Sequence, residues 1–364
     1  MRSTTGAHYL ALDHVRALAA CLVFVWHFLH SMTGTPVPFE GAPAIFPLSL
    51  FDEGHTGVAL FMVLSGYLFA KLLDGRKIDY FYFLFSRAVR LLPLLIVVFA
   101  IVIGYDVGTG KESLEGYLGV LWHGLWQPVW PNGGWSIAVE MHFYLLLPLF
   151  LWLARRSPWW LLLVVVAAVL LRYALWLGWG SIQIPAYFTL IGRVDQFTLG
   201  IFAHYMARHA KGRHLLAALV ALAFMLFYQW FNMRGGFARM PSFPAPPSPS
   251  RLWVAIPTIE ALAYGFLIAW YDNSFDPKNE GFSRFVAQIG AYSYSIYLLH
   301  FFFVFHAAQF IHTRIMDISN FYVACAWALL CFAAMLPIGW LSFRCIENPF
   351  LRWRKRYVRD AAPR

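Results

Sequence analysis

Residues 13–30 read DHVRALAACLVFVWHFLH, an apolar run of membrane-helix character that carries an arginine near its start and histidines near its end. Arg16 and His27 are eleven residues apart. On a helix of about 3.6 residues per turn, that spacing returns to nearly the same face after three turns and rises about 16 Å. Arg16 then lies at a membrane border and His27 near mid-membrane, where an ionisable side chain needs a cavity or a partner. Two readings fit this spacing. Arg16 snorkels as an anchor while His27 satisfies a neighbouring helix. Or the two measure out a ligand with a polyanionic head and a long thin arm, which is the shape of a coenzyme A thioester.

The surrounding chain agrees with a membrane setting. Its 364 residues are 60% hydrophobic, 19% aromatic and only 13% charged, against about 25% charged in soluble domains. The formal net charge is +10. Its basic residues sit at the ends of apolar runs, which suits lipid head groups and excludes a nucleic-acid face. Cys21, Cys325, Cys331 and Cys345 have neither disulfide-framework nor zinc-site spacing, so free thiols and no metal are expected. The first apolar run ends in WHFLHSM with no small-residue cleavage site, so it is expected to stay as a helix.

Apolar runs of about 20 residues mark spanning helices. Ten are predicted, at 15–33, 55–73, 91–105, 136–154, 159–178, 187–206, 215–232, 252–271, 289–311 and 320–343. The fold class expected is all-α, a polytopic membrane bundle. The aromatic stretch 117–135, interrupted by Pro128 and Pro131, reads as interfacial or re-entrant. With the N-terminus inside, the inner segments carry 21 of the 28 Lys and Arg, which predicts both termini in the cytoplasm. The outer loop 234–251 is Pro-rich and reads as extended or mobile, and the basic aromatic LRWRKRYVR at 351–359 as a membrane-surface anchor. No repeat or second domain is evident. The chain ends about twenty residues after its last predicted span, so one domain over 1–364 with no appended soluble domain is expected.

Further stretches fall in a recognisable order: FMVLSGYLF (61–69), SRAVRLLP (86–93), GGWSIAVEMHFYLLLP (133–148), GRVDQFTLGIF (192–202), YSYSIYLLH (292–300) and IENPF (346–350). Together with Arg16 and His27, whose arginine–ten residues–histidine pattern they follow, they make the chain resemble the acyltransferase 3 family of integral membrane acyltransferases. Arg87 and Arg90 match its Arg-x-x-Arg pair, and Ser65-Gly66-Tyr67 is similar to its Ser-Gly-Phe. Ala17 stands where a glycine is usual. Met141 and His142 stand where a second Glu and a Gln are common, which leaves Glu140 the single carboxylate of that motif. Some relatives carry an appended soluble hydrolase-like domain.

The resemblance implies transfer of an acyl group, usually acetyl, from cytoplasmic acetyl-CoA as co-substrate to a hydroxyl. The acceptor is an extracytoplasmic glycan or lipid-linked glycan, or in a minority of relatives a small lipophilic molecule such as a macrolide. The expected location is a bacterial inner membrane among its lipids, with no oligomeric state specified. His27 is the first choice for the chemistry, either as base toward the acceptor hydroxyl or as acyl carrier. Glu140 joins it as a catalytic candidate that orients His27, binds sugar or pairs with an arginine. Arg16, Arg87 and Arg90 would hold the phosphates, because guanidinium pairs bidentately with phosphate oxygens. Asp13 orients Arg16 or caps the helix. Ser65, Trp135, Ser136, Tyr144, Arg193, Asp195 and His300 complete the substrate-side candidates. Each has a structural alternative, such as helix packing for Ser65-Gly66 or an ion pair for Arg193 and Asp195. A transporter is the competing class, but no matching halves with interrupted helices are evident.

Overall fold

The computed structural model describes residues 9–30, 45–237 and 251–359. Most of the Pro-rich loop expected at 234–251 falls outside them. The described chain is an all-α bundle: α1 (Leu10–Leu29), α2 (Thr56–Leu73), α3 (Tyr80–Gly108), α4 (Trp135–Arg156), α5 (Trp160–Trp179), α6 (Leu190–Tyr205), α7 (His214–Met233), α8 (Ile256–Ser274), α9 (Gly281–Ala291), α10 (Ser293–Leu299), α11 (Val304–Arg314) and α12 (Phe321–Ser342), with shorter helical turns between them. Among the described residues the only sheet is a two-residue antiparallel pairing of Lys77–Ile78 with Val358–Arg359.

Among the described residues, seven helices are long and apolar enough to cross a membrane: α1 to α5, α7, and α12 continued to Leu351. An eighth span results if the bent pair α10–α11 counts as one. The chain is a multi-pass membrane protein. Two predicted spans, 187–206 and 252–271, become α6 and α8 but do not meet the same measure. The 16 residues of α6 include the buried polar side chains Arg193, Asp195, Gln196 and Thr198. α6 is enclosed by α2, α4, α5 and α8. Its polar groups face protein rather than lipid, as polar groups at membrane depth must.

Other expectations shift for local reasons. The short third span grows to 29 residues, because Asp79 caps α3 by accepting from the Tyr82 N–H at 3.2 Å and the helix runs through Arg87 and Arg90. Hydropathy sees where a helix turns polar, not where its backbone starts. The predicted ninth span, 289–311, divides into α9, α10, a tight turn at His300–Phe302, and α11 at 53° to what precedes it. The segment 117–135 begins inside a ten-residue helix, Leu114–His123, too short to span.

Packing places α1 at a seam. Leu12, Val15, Ala19 and Val23 join one apolar cluster, while Ala17, Ala20, Phe24 and Phe28 join another with α12. α2 and α6 touch backbone to backbone. A Cβ on Gly66 would stand 2.0 Å from the Phe197 carbonyl oxygen, and one on Gly200 2.1 Å from that of Val63. This is the small-residue packing by which membrane helices approach closely. Outward faces are apolar, as at Leu163, Val166, Leu170 and Leu177 of α5.

Candidate active site

A cavity of about 200 Å³ lies where α1, α2, α3, α4, α9 and α10 meet. Its wall includes Arg16, Arg87, Arg90 and Arg354, together with Asp13, Ser65, Ser136, Glu140, Tyr144, Tyr294, Tyr297 and Tyr357. The sequence motifs on α1, α2, α3, α4 and α10 therefore converge on one space. The two polar groups at its centre are tied together: Glu140 Oε1 accepts from Ser65 Oγ at 3.1 Å and from the Tyr144 hydroxyl at 2.5 Å. Ser65 thus faces the cavity while its neighbour Gly66 serves the helix packing.

The arginines differ in how they are neutralised. Arg16 donates to Asp13, one turn back, which is the orienting role expected of Asp13; the helix is capped at Tyr9 instead. Arg90 donates to Glu347 at 2.7 Å, and Ser295 donates to the same carboxylate. Arg87 lies against the rings of Phe69, Phe83 and Tyr357 at 5.3–5.8 Å, and its buried Nε has no hydrogen-bond partner. Arg354 comes from the C-terminal segment. Burial, with Arg87 and Arg90 nearby, pushes its pKa down to about 10. A cavity edge with this much uncompensated positive charge suits an anion.

His27 does not line the cavity. It sits beyond the inner end, against His300 of the turn after α10, with ring centroids 4.9 Å apart. Backbone carbonyls only accept, so a ring nitrogen facing one carries a proton. His27 Nδ1 lies 2.9 Å from the Val23 carbonyl, and His300 Nδ1 2.6 Å from that of Tyr297. His300 Nε2 then has the lone pair, and it stands 3.2 Å from His27 Nδ1 as a second acceptor. In the neutral ring of His27 the remaining nitrogen, Nε2, holds the lone pair that a base needs. The break at His300–Phe302 makes this possible, since it turns the ring onto the Ile296 and Tyr297 carbonyls. Tyr297 separates the cavity from the histidines: its hydroxyl is 2.8 Å from Ser136 Oγ, and its ring is 6.1 Å from Phe61 and 6.0 Å from His300.

Three other candidates lie elsewhere. Trp135 is buried against Tyr187 and Phe188, at 5.3 and 4.8 Å between centroids, not on the cavity wall. Arg193 and Asp195 do not pair with each other. Asp195 holds Arg172 at 2.8 Å and accepts from Thr258 at 2.5 Å. Arg193 is 3.7 Å from Glu260 and bonds Gln196 at 3.0 Å. These are charge-paired networks of the bundle core, with Arg193 Nη2 and Asp195 Oδ1 left without a hydrogen-bond partner, and their partners Arg172 and Glu260 carried no motif to announce them. Arg354, Tyr357, Tyr294 and Tyr297 are cavity residues that the sequence reading missed. The first two follow a turn no local pattern marks, and the tyrosines lie in the stretch YSYSIYLLH, from which only His300 was singled out.

Residues 9–344 match the family model described as an acyltransferase domain, acyltransferase 3. Peptidoglycan O-acetyltransferase OatA of Listeria monocytogenes is 26% identical over 93% of this chain and 55% of its own length. The chain thus spans about half of that curated relative. No solved structure matches. With the match running through every element that builds the cavity except the C-terminal segment, the chain belongs to the acyltransferase 3 family.

Proposed function

We propose that this protein is a membrane O-acyltransferase that takes an acetyl group from acetyl-CoA at the cytoplasmic face and passes it to a hydroxyl of an extracytoplasmic glycan. Both termini face the cytoplasm in this reading, and the membrane is a bacterial inner membrane. The observation that carries it is a single cavity with arginines at one end and the Ser65–Glu140–Tyr144 group inside, ending one ring short of His27. The phosphates of the donor stay with the guanidinium groups, and the slender pantetheine arm enters the apolar space between Phe61, Met62, Leu68 and Leu91. Acetyl as the group, and a cell-wall glycan as the acceptor, follow the relative named above.

The chemistry balances without a metal. The acceptor hydroxyl gives its proton to His27 Nε2 as its oxygen attacks the thioester carbonyl carbon. The C–S bond then breaks, and the thiolate takes a proton back from the imidazolium. His300 Nε2 accepts from His27 Nδ1–H throughout and so keeps the ring in the required tautomer. The thioester reaches His27 only when the Tyr297 side chain turns aside, which opens the inner end of the cavity.

The test is binding and transfer with labelled acetyl-CoA on the purified protein in nanodiscs. Wild type is expected to bind; Arg16→Ala is expected to lose binding; His27→Ala is expected to bind but to lose transfer by roughly 10²–10⁴-fold. Folded wild type with no affinity for acetyl-CoA would sink the donor reading.

A further inference from the structure

The C-terminal segment reads as a membrane-surface anchor in sequence, yet it folds back against the donor cavity. Val358 and Arg359 pair antiparallel with Ile78 and Lys77. The Asp79 N–H donates to the Tyr357 carbonyl at 2.9 Å, Ser86 Oγ to the Lys355 carbonyl at 3.2 Å, and the Lys355 ammonium lies 5.0 Å from the Tyr82 ring centre. Tyr357 is 1% exposed, edge-on to Phe83 at 5.4 Å, with Arg87 at 5.8 Å from its ring. These contacts clasp the tail to the start of α3 and set Arg354 into the cavity wall beside Arg87 and Arg90.

Arg354 brings charge that the protein does not offset. Arg16 and Arg90 each have a carboxylate, whereas Arg87 and Arg354 have no ion-pair partner among the described residues. Two half-buried cations left together are unfavourable unless an anion joins them. Burial and these neighbours lower the Arg354 pKa to about 10, the sign expected of crowded positive charge. The family match ends at residue 344, ten residues before Arg354, so this contribution lies outside the shared domain.

We propose that Arg354, held by the C-terminal clasp, forms with Arg87 a binding site for a phosphate group of a phosphorylated ligand. The proposal rests on the donor reading above for the identity of that ligand, since an anionic lipid headgroup presents the same phosphate chemistry. The planar guanidinium fork fits phosphate oxygens better than a lysine ammonium does.

The experiment uses the full-length protein in zwitterionic nanodiscs, comparing wild type with Arg354→Ala, Arg354→Gln, Arg354→Lys and, as a control on the same tail, Arg352→Ala at an exposed position. Three ligands are titrated: acetyl-CoA, inorganic pyrophosphate, and S-acetylpantetheine, which has no nucleotide phosphates. Loss of one charge-assisted contact is expected to weaken acetyl-CoA and pyrophosphate about tenfold or more. Lys should recover part of this, Arg352→Ala should stay within about twofold, and S-acetylpantetheine should bind all variants alike. The unfolding temperature of each variant is recorded; if Arg354→Ala does not fold, Arg354→Gln, which keeps the chain length and removes the charge, decides.

Arg354 variants indistinguishable from Arg352→Ala would overturn the proposal while leaving acetyl-CoA binding by wild type intact. Conversely, Arg354-dependent binding of pyrophosphate with no affinity for acetyl-CoA would keep the phosphate site and remove the donor reading. Repeating the titration in phosphatidylglycerol nanodiscs separates the sources. Unchanged acetyl-CoA affinity assigns the site to the donor, and suppression that Arg354→Gln relieves assigns it to the headgroup.

Discussion

Arg172 and Arg193 in the core, and Arg16, Arg87, Arg90 and Arg354 around the cavity, are the same side chain in two settings. In the core each guanidinium meets a carboxylate as buried as itself: Arg172 with Asp195, both 0% exposed, and Arg193 with Glu260, 1% and 2%. Backbone carbonyls of Val254 and Tyr187 accept from the Nε of Arg172 and of Arg193 at 2.9 and 2.7 Å, although Arg193 Nη2 has no hydrogen-bond partner. Around the cavity, among the described residues, only Arg16 and Arg90 have a carboxylate, and Arg87 makes do with aromatic faces. The difference teaches which charges belong to the fold and which await something else. A buried cation closed off by its own acid is structure. One left open beside a cavity is a site for an anion.

The comparison is broken most directly by removing a core acid. Asp195→Ala leaves Arg172 buried without its counter-charge, at an expected cost of about 3–5 kcal/mol. Thermal unfolding of the purified protein measures it, and a small or absent shift would mean that the core pair is not what holds α5 to α6. Arg87→Ala is the matching change at the cavity. It should cost about 1 kcal/mol of stability or less, but weaken acetyl-CoA binding roughly 10–100-fold with kcat little altered. If the two variants exchange behaviour, the division of the arginines is wrong.

His300 tests the boundary between the two classes, since it is a buried residue, 1% exposed, whose Nε2 stands 3.2 Å from Nδ1 of His27, the base of the proposed transfer. As a positioning residue it is expected to affect kcat more than KM. His300→Ala should lower kcat about tenfold, the worth of one hydrogen bond to a group that gains charge. His300→Gln offers an amide oxygen to His27 Nδ1–H and should restore part of the rate. Equal loss in both variants, tracking the unfolding temperature, would make His300 a packing residue only.

Much of this was legible before any coordinates. Arg16 and His27 do share one helix, with Arg16 on the cavity wall and His27 off it, because a helical period is set by backbone geometry alone. Arg87, Arg90, Ser65, Glu140 and Tyr144 converge as their motifs implied. What stayed hidden depends on long-range pairing. Whether Asp195 meets Arg193 or Arg172 is decided by how α5 packs on α6, and no spacing rule reaches across 23 residues. Arg354 looked like a lipid anchor because a two-residue strand pairing, 280 positions apart in sequence at Ile78 and Val358, leaves no local signal. The break that aims His300 was equally invisible, since the apolar run passes through it unchanged.

A third way to bury charge sharpens the contrast at the C-terminal end of α1, where an acid is neutralised by a proton instead of a cation. Glu53, 2% exposed, precedes α2 and accepts from the Asn232 amide at 2.7 Å and the Phe237 N–H at 3.1 Å. Asp52, His30 and His55 are its titratable neighbours. Burial, and then the adjacent Asp52 charge, push its pKa up from 4.5 to about 8. The folded protein therefore keeps a proton that the unfolded chain has released, and stability falls as pH rises between these values. From pH 7 to 8 that proton is worth about 1 kcal/mol. Wild type should lose unfolding temperature over this interval, and Glu53→Gln, which mimics the protonated acid, should flatten the loss. A variant that keeps the full slope would transfer the effect to the Asp52–His30 pair and leave Glu53 ionised, held by its hydrogen bonds alone.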